Sequence, residues 1–459
     1  MEPAVVDDDV LPSKIRRLLS PVLPWLGLPA AGAVWSAWHL RKMYFFYDEW
    51  SMINLVSHLE AIDGMTTSFN GHLWMLQYWL YRIQVSVFGL DSHFFISACF
   101  VVALVALHLA IASVLRACGL PRQLSLMFGG LLAYLGCASQ NFIFAVQVSP
   151  VLSMAAGLFG AAIVLRNAPS LRATLATAFC LVASSVLASG VALGVIAFAA
   201  VVAAIRWKLA AVSAVAPAVL VLVWWFTTAD LGPDFPASFG DRVSFAGRLS
   251  LQSVGAVVGN GQVAGAMLSG VAMTLIVVAL VCRWLDQRAV VTLVAGLVSA
   301  ITTVTAIAQS RAGLPGFNFV DFNRYLSYVA IPLTLAAAPA LVAAIRHFPF
   351  RGYASKLGPA IPASSVVVAF LLGLPSASAY NKVFTHWNAQ TRHDVVAATV
   401  VIDKGCPSGA TPNPASLPTM YNPQITTQLL REMIDRGALS VGPSDAEDAA
   451  VTARMCPEF

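Results

Sequence analysis

Long apolar segments separated by short polar connections run through most of the chain. About 20 apolar residues are enough to cross a bilayer as an α-helix. By this criterion we predict about eleven spans, and hence an all-α polytopic membrane protein whose transmembrane core covers residues 18–374. The predicted spans lie at about 18–40, 94–115, 124–139, 151–165, 175–187, 191–205, 209–226, 263–281, 290–308, 326–345 and 360–374.

Composition supports a membrane protein and excludes an ordinary soluble one. The 459 residues are 58% hydrophobic and 11% charged, whereas a soluble protein carries about 25% charged residues. The net charge of +5 comes mostly from the connections between spans. It therefore does not indicate nucleic-acid binding, and no Gly-rich phosphate loop indicates a nucleotide site.

Lys and Arg are distributed unequally between the two sets of connections. Fourteen fall on the side of the N-terminus and seven on the other side, before the C-terminal tail. Cytoplasmic loops are enriched in Lys and Arg. We therefore predict a cytoplasmic N-terminal tail over residues 1–17, and an odd number of spans places the tail at 375–459 outside.

The first outer loop, residues 41–93, contains the most distinctive stretch of the sequence. It opens with Tyr47-Asp48-Glu49-Trp50, continues through Asn70-Gly71-His72-Leu73-Trp74 and ends in an apolar-aromatic run. Such a run is typical of helices that lie at the headgroup level. Two adjacent carboxylates at a membrane boundary are costly to desolvate and require water, a cation or a basic partner.

The Asp48-Glu49 pair has two interpretations. In the first it is a helix cap, because Asp favours the N-cap and acidic residues suit the first helical turn. In the second it is a general base that deprotonates an acceptor hydroxyl, helped by like-charge repulsion that raises one pKa. The two interpretations are compatible.

Three outer arginines are candidates for binding an anion. Arg324 directly precedes a predicted span, and Arg311 lies in the connection before that span. A guanidinium group can form a bidentate pair of hydrogen bonds with phosphate oxygens. Both are also explained as headgroup anchors. Arg82 is alternatively expected to pair with Asp48 or Glu49 across the loop.

The tail differs in composition from the core. We predict helices around 386–403 and 424–436, joined by a connector rich in Pro and Ser. Cys406 and Cys456 are its two cysteines. On the outer side, a disulfide between them would stabilise a segment that is too small to bury much core.

The chain resembles the GT-C superfamily of glycosyltransferases that use polyprenyl-phosphate sugars, and it looks most like an uncharacterised bacterial branch. The resemblance rests on the acidic motif after the first span, the aromatic loop, the many-span core, a small outer C-terminal region and Asn323-Arg324-Tyr325-Leu326. It implies an inverting transferase in the bacterial cytoplasmic membrane. The enzyme would move a sugar from a polyprenyl-phosphate donor to a glycan, lipid or protein hydroxyl on the outer face.

The same resemblance implies roles for individual residues. Asp48 would be the catalytic base with Glu49 as its partner. Family members differ in their use of a divalent ion, and since Asp48, Glu49 and Asp241 lack a spacing diagnostic of a metal site, we expect no required metal. A divalent cation (Mg²⁺, Mn²⁺ or Ca²⁺) bound by these carboxylates stays open as an alternative. The expected partners are the donor lipid, the acceptor and membrane lipids, and the expected substrate-binding residues are Tyr47, Trp50, Asn70, His72, Arg82, Arg311, Arg324 and Tyr325.

Two rival functions come from other classes of membrane protein. A polysaccharide polymerase or O-antigen ligase is also polytopic, but we expect a large outer loop late in its chain. A transporter of lipid-linked glycans predicts charged residues inside the spans. Here nearly all charges fall in connections, which favours the enzyme.

Overall fold

The computed structural model describes the parts of the chain that carry the fold. These are residues 23–46, 48–69, 72–73, 75–134, 144–187, 189–206, 215–220, 222–223, 226, 236–258, 261–314, 324–347, 360–415, 419, 422 and 424–456.

The described elements are helices apart from one hairpin of two very short strands. The hairpin pairs β1 (Ser68–Phe69) with β2 (His72–Leu73) in antiparallel register. The helices are α1 (Leu23–Leu40), α2 (Asp48–His58), α3 (Ala61–Thr66), α4 (Met75–Ile83), α5 (Phe94–Ala117), α6 (Arg122–Tyr134), α7 (Val148–Arg166), α8 (Leu171–Leu187), α9 (Ser189–Arg206), α10 (Phe239–Ala256), α11 (Gln262–Val281), α12 (Gln287–Arg311), α13 (Arg324–His347), α14 (Ala360–Lys404), α15 (Thr427–Asp435) and α16 (Ala449–Met455).

Five helices within the described ranges are long and apolar enough to span a membrane. They are α5, α11, α12, the part of α13 from Tyr325 onward, and the helix Ala145–Arg166, which includes α7. Two shorter apolar helices lie at Leu171–Leu187 and Leu193–Arg206. The chain is therefore an α-helical protein of membrane-embedded character, although the described residues do not reach the predicted eleven spans. Part of the span expected at 209–226 lies outside them.

The helices pack sequentially into one bundle. α5 packs against α6 and α7, α7 against α8 and α9, and α9 against α12, which in turn packs against α13. Small residues permit the close contacts: a Cβ at Gly296 would lie 2.7 Å from the backbone nitrogen of Ala336. Close packing of small residues is how helices associate where lipid removes the hydrophobic driving force. α11 instead exposes apolar side chains such as Val263 and Val281, as expected of a lipid-facing helix.

The two ends of the bundle differ in chemistry. At one end, which we call the basic end, Arg166 donates to the carbonyl of Ser113 at 2.7 Å and Arg346 donates to the carbonyl of Gly119 at 3.2 Å. His347 stacks on Trp284 there, with ring centroids 5.0 Å apart. The opposite end, which we call the acidic-loop end, carries the loop from Arg41 to His93, where α5 begins.

Helices form most of the acidic-loop end, as the sequence predicts. α2 and α3 are followed by the hairpin and by α4, which continues into one π-helical turn at Gln84–Phe88. The Tyr78 hydroxyl donates to the carbonyl of Leu59 at 3.0 Å, which joins α4 to the connection after α2.

α14 crosses the boundary that the sequence predicts between core and tail. It runs for 45 residues without interruption, a length of about 68 Å. The predicted span 360–374 and the predicted tail helix 386–403 are therefore parts of one helix. Pro375 and the polar residues after it therefore do not end this helix.

Candidate active site

The acidic pair lies at the start of α2, and its two carboxylates have different environments. Glu49 is 1% exposed, whereas Asp48 is half-buried. Both belong to the first turn, where the helix dipole favours negative charge. Adjacent residues on a helix point about 100° apart, which explains why one enters the core and the other does not.

Glu49 is the acceptor at the centre of a buried hydrogen-bond cluster. Its Oε1 lies 2.7 Å from Nε2 of His93 and accepts a short hydrogen bond from the Tyr81 hydroxyl. Its Oε2 accepts from the backbone N–H of Phe46 at 3.0 Å. A buried carboxylate is tolerated when it is paired and hydrogen-bonded in this way. We call Glu49, Tyr81 and His93 the buried cluster.

His93 extends this cluster to the first turn of α5. The ring is 4% exposed, and its Nδ1 lies 2.7 Å from Oγ of Ser97. The ring of Phe45 meets it edge-on, with centroids 4.8 Å apart. Both ring nitrogens of His93 therefore have polar partners, and the imidazole orientation is determined by Glu49 on one side and Ser97 on the other.

Tyr81 remains a hydrogen-bond donor over the physiological pH range. Burial raises the pKa of its phenol well above the usual value of 10.0, and the negative charge of Glu49 raises it further. A protonated phenol is the form that can donate to a carboxylate. The sequence indicates neither Tyr81 nor His93 as a partner of Glu49. They lie 32 and 44 positions away, and no local pattern connects such distant residues.

Aromatic rings cover the segment that precedes the acidic pair. Phe46 stacks on Trp387 of α14, with centroids 5.8 Å apart, and meets Phe384 edge-on at 5.5 Å. The backbone N–H of Tyr44 donates to Asn388 at 3.0 Å. These contacts connect the acidic loop to α14, and they limit the positions that the first turn of α2 can take.

Arg82 does not form the predicted pair with the acidic residues, and Trp50 lies in the core. Arg82 donates to the Tyr78 hydroxyl at 2.6 Å and to the carbonyl of Leu59 at 3.3 Å, and forms no ion pair with Asp48 or Glu49. It follows Tyr81, whose side chain faces Glu49, so it points away from that carboxylate. Trp50 is fully buried and donates to the carbonyl of Phe45 at 2.9 Å, which makes it a core residue in this state.

The structure brings together two of the other predicted substrate-binding residues. Arg311, at the end of α12, donates from Nε to the Tyr325 hydroxyl at 3.1 Å, and its guanidinium lies 6.0 Å from the centre of that ring. Tyr47 and Asn70 lie outside the described residues. The backbones of His72 and Arg324 are described, but their side chains are not.

The C-terminal segment closes one side of the acidic-loop end. Its Ser440 hydroxyl donates to Asp91 at 2.6 Å, and its Ala438 carbonyl accepts from the N–H of Leu90 at 2.6 Å. Cys406 and Cys456 form a disulfide across 50 positions, which is the pairing predicted from the sequence. This disulfide ties the end of α16 to the residues just after α14.

Neither a metal-binding group among the described residues nor a match to a known protein adds to this picture. Across the described ranges, no group of three or more His, Cys, Asp or Glu side chains is placed to hold a metal ion. Comparisons with protein-family models, with curated proteins and with solved structures give no match. The geometry of the acidic-loop end is therefore the basis for the function proposed below.

Proposed function

We propose that the protein is a membrane glycosyltransferase of the GT-C type. It would transfer a sugar from a polyprenyl-phosphate donor to a hydroxyl of a cell-envelope glycan, lipid or protein on the outer face of the bacterial cytoplasmic membrane. The observation that carries the proposal is the division between the two carboxylates. The carboxylate of Glu49 is occupied by hydrogen bonds within the buried cluster, whereas Asp48 keeps accessible surface. The buried cluster also fixes the position of the first turn of α2, which carries Asp48.

In the proposed reaction Asp48 is the general base. The acceptor hydroxyl loses its proton to Asp48 while its oxygen forms a bond to the anomeric carbon. The bond between that carbon and the phosphate oxygen breaks, the electron pair leaves on the phosphate, and the configuration inverts. A positioned base contributes about 10²–10⁴-fold to such a rate.

The remaining predicted residues have roles in binding. Arg311, Arg324 and Tyr325 are proposed to contact the donor phosphate, because a guanidinium donates two parallel hydrogen bonds to phosphate oxygens. Tyr47, Asn70 and His72 are proposed to contact the acceptor. Glu49, Tyr81 and His93 are positioning residues, since they act through the backbone that presents Asp48.

The test is sugar transfer by purified protein in lipid vesicles with a panel of polyprenyl-phosphate sugars. We expect one donor to be consumed, and Asp48→Asn to lower that rate at least about 100-fold without changing the thermal unfolding midpoint. Asp63→Asn is the matched control, because Asp63 is an exposed carboxylate of the same loop. A parallel assay with EDTA tests the cation alternative, and undiminished transfer is expected.

Two results would argue against the proposal. If Asp48→Asn transfers sugar as fast as wild type, the acidic pair is a helix cap. If folded protein consumes no donor in the panel, the polymerase, ligase and transport hypotheses explain the protein better than the glycosyltransferase proposal.

A further inference from the structure

Arg41 and Lys42 lie directly after α1 and next to the middle of α14. A cavity of about 450 Å³ opens on one side of this pair and one of about 460 Å³ on the other. Arg41, Lys42 and Ala389 line both cavities. We call the two cavities together the basic cleft.

One face of α14 supplies the opposite wall of the basic cleft. Lys382, His386, Ala389 and His393 follow one another at intervals of three or four residues, so they share a face of the helix. Arg392 lies beside them. The small side chain at Ala389 leaves room at the point where the two cavities meet.

Positive charge accumulates in the basic cleft around Lys42, Lys382 and Arg392. Lys42, Lys382 and Arg392 are exposed, and none forms an ion pair with a carboxylate of the described residues. No Asp or Glu is found among the described residues that line either cavity. Gathering like charges on a surface costs energy, and a bound anion offsets that cost.

Arg41 adds to this positive charge, whereas His393 lies near carboxylates that reduce it at one end of the cleft. Arg41 lies over the ring of Trp38, 3.1 Å from its centre, and therefore still carries its charge into the cleft. Among the residues that line the cleft, His393 lies closest to carboxylates. Its Nδ1 is 3.6 Å from Oδ1 of Asp394, and its Nε2 is 3.9 Å from Oδ2 of Asp448. The excess of positive charge is thus largest around Lys42 and Lys382.

Exposed apolar residues border the cleft on both helices. Val34 and Trp38 of α1 are 71% and 63% exposed, and Leu371 and Leu372 of α14 are each 55% exposed. Leu372 precedes Lys382 by ten residues, about 15 Å along a helix. Apolar surface followed by Trp and then by Lys and Arg is typical of a crossing from hydrocarbon into the headgroup layer.

From these observations we infer that the basic cleft binds the phosphate group of an anionic lipid headgroup, with Lys42, Lys382 and Arg392 as its donors. Lys and Arg at this depth reach the phosphate, while the acyl chains lie along the exposed apolar faces of α1 and α14. The inference concerns binding alone and does not rest on sugar transfer. Six positions separate Lys42 from Asp48, at most about 20 Å of extended chain, so a lipid bound here lies close to the acidic loop.

Native mass spectrometry of the full-length protein in a neutral detergent tests the inference. The probes are a medium-chain phosphatidic acid, phosphatidylcholine with the same acyl chains, and inorganic phosphate as a competitor. We expect phosphatidic acid to bind at least about tenfold more tightly than phosphatidylcholine, and Lys42→Gln/Lys382→Gln to weaken its binding about tenfold. The Gln side chains retain most of the aliphatic stem and remove the charge.

Lys404→Gln is the matched control and should bind like wild type. Lys404 is an exposed lysine at the end of α14, about 33 Å along the helix from Lys382, and it pairs with Glu447. Unfolding midpoints are measured on the same samples, and Arg392→Gln provides a second, independent loss of charge. Equal binding by wild type and the folded variants overturns the site. Displacement of the lipid by inorganic phosphate at equal concentration overturns the assignment to a lipid.

Discussion

The acidic-loop end and the basic end of the bundle are held together by different kinds of contact. At the acidic-loop end a buried carboxylate joins α2, α4 and the start of α5, and a disulfide secures the C-terminal segment that packs there. At the basic end exposed arginines donate to carbonyls at the ends of helices. Buried polar contacts impose strict geometry and are costly to break, whereas exposed ones are individually weak.

This difference identifies the end at which the chain maintains precise geometry. A bundle needs only short connections to close its ends, and the connections of the basic end that the structure describes, at 118–121, 167–170 and 282–286, are short. The acidic-loop end instead buries the Glu49 carboxylate with the Tyr81 hydroxyl and the His93 imidazole, and it contains a π-helical turn. Turns of this type occur frequently at functional sites.

Glu49→Ala should lower the free energy of unfolding by about 3–5 kcal/mol, because it leaves His93 and Tyr81 buried without their acceptor. The measurement is denaturant unfolding in mixed micelles. In a double-mutant cycle, Glu49→Ala with His93→Ala should cost less than the sum of the single changes. Additive costs would mean that the two side chains do not interact.

Replacing Cys406 and Cys456 with Ser should lower stability by about 2–4 kcal/mol, since the unfolded chain regains the freedom of a closed loop. The loss should be local, with faster proteolysis of the segment that contains α15 and α16. Cys282→Ser is the control, because Cys282 is exposed and forms no disulfide. Unchanged proteolysis would show that packing alone holds this segment.

Tyr81→Phe should remove part of the alkaline loss of stability. Burial raises the pKa of Tyr81 in the folded state above its unfolded value of 10.0. The unfolded state therefore loses its proton first as pH rises, and stability falls above about pH 10. Unfolding midpoints between pH 8 and 11 should decline less steeply in Tyr81→Phe than in wild type, although the variant is less stable at pH 8.

Arg346→Ala should have the smallest effect, under about 1 kcal/mol, since an exposed donor to one carbonyl exchanges readily with water. Arg166→Ala provides a second case at the same end. Unfolding under the conditions used for Glu49→Ala makes the values comparable. A loss as large as that of Glu49→Ala would remove the contrast between the two ends.

Local patterns predicted the features that depend on nearby residues. The apolar segments indicated a helical membrane protein, and the aromatic run after Leu73 indicated an interfacial helix where α4 lies. The same patterns do not reveal contacts between distant segments. They failed for the pairing of Arg82 with the acidic residues because the direction of a side chain depends on which neighbour its helix packs against.

The sequence by itself determined the helical, membrane-embedded character of the chain and the position of the acidic pair after α1. It also singled out Cys406 and Cys456, because they are the two cysteines of the polar tail. Only the tertiary structure decided that Glu49 is buried while Asp48 stays accessible, since that outcome requires Tyr81 and His93 to arrive from α4 and from the start of α5. It likewise brought Lys42 together with Lys382, 340 positions later in the chain. Hydropathy and helix propensity act over a few turns of chain, whereas burial and charge clustering are properties of the packed bundle.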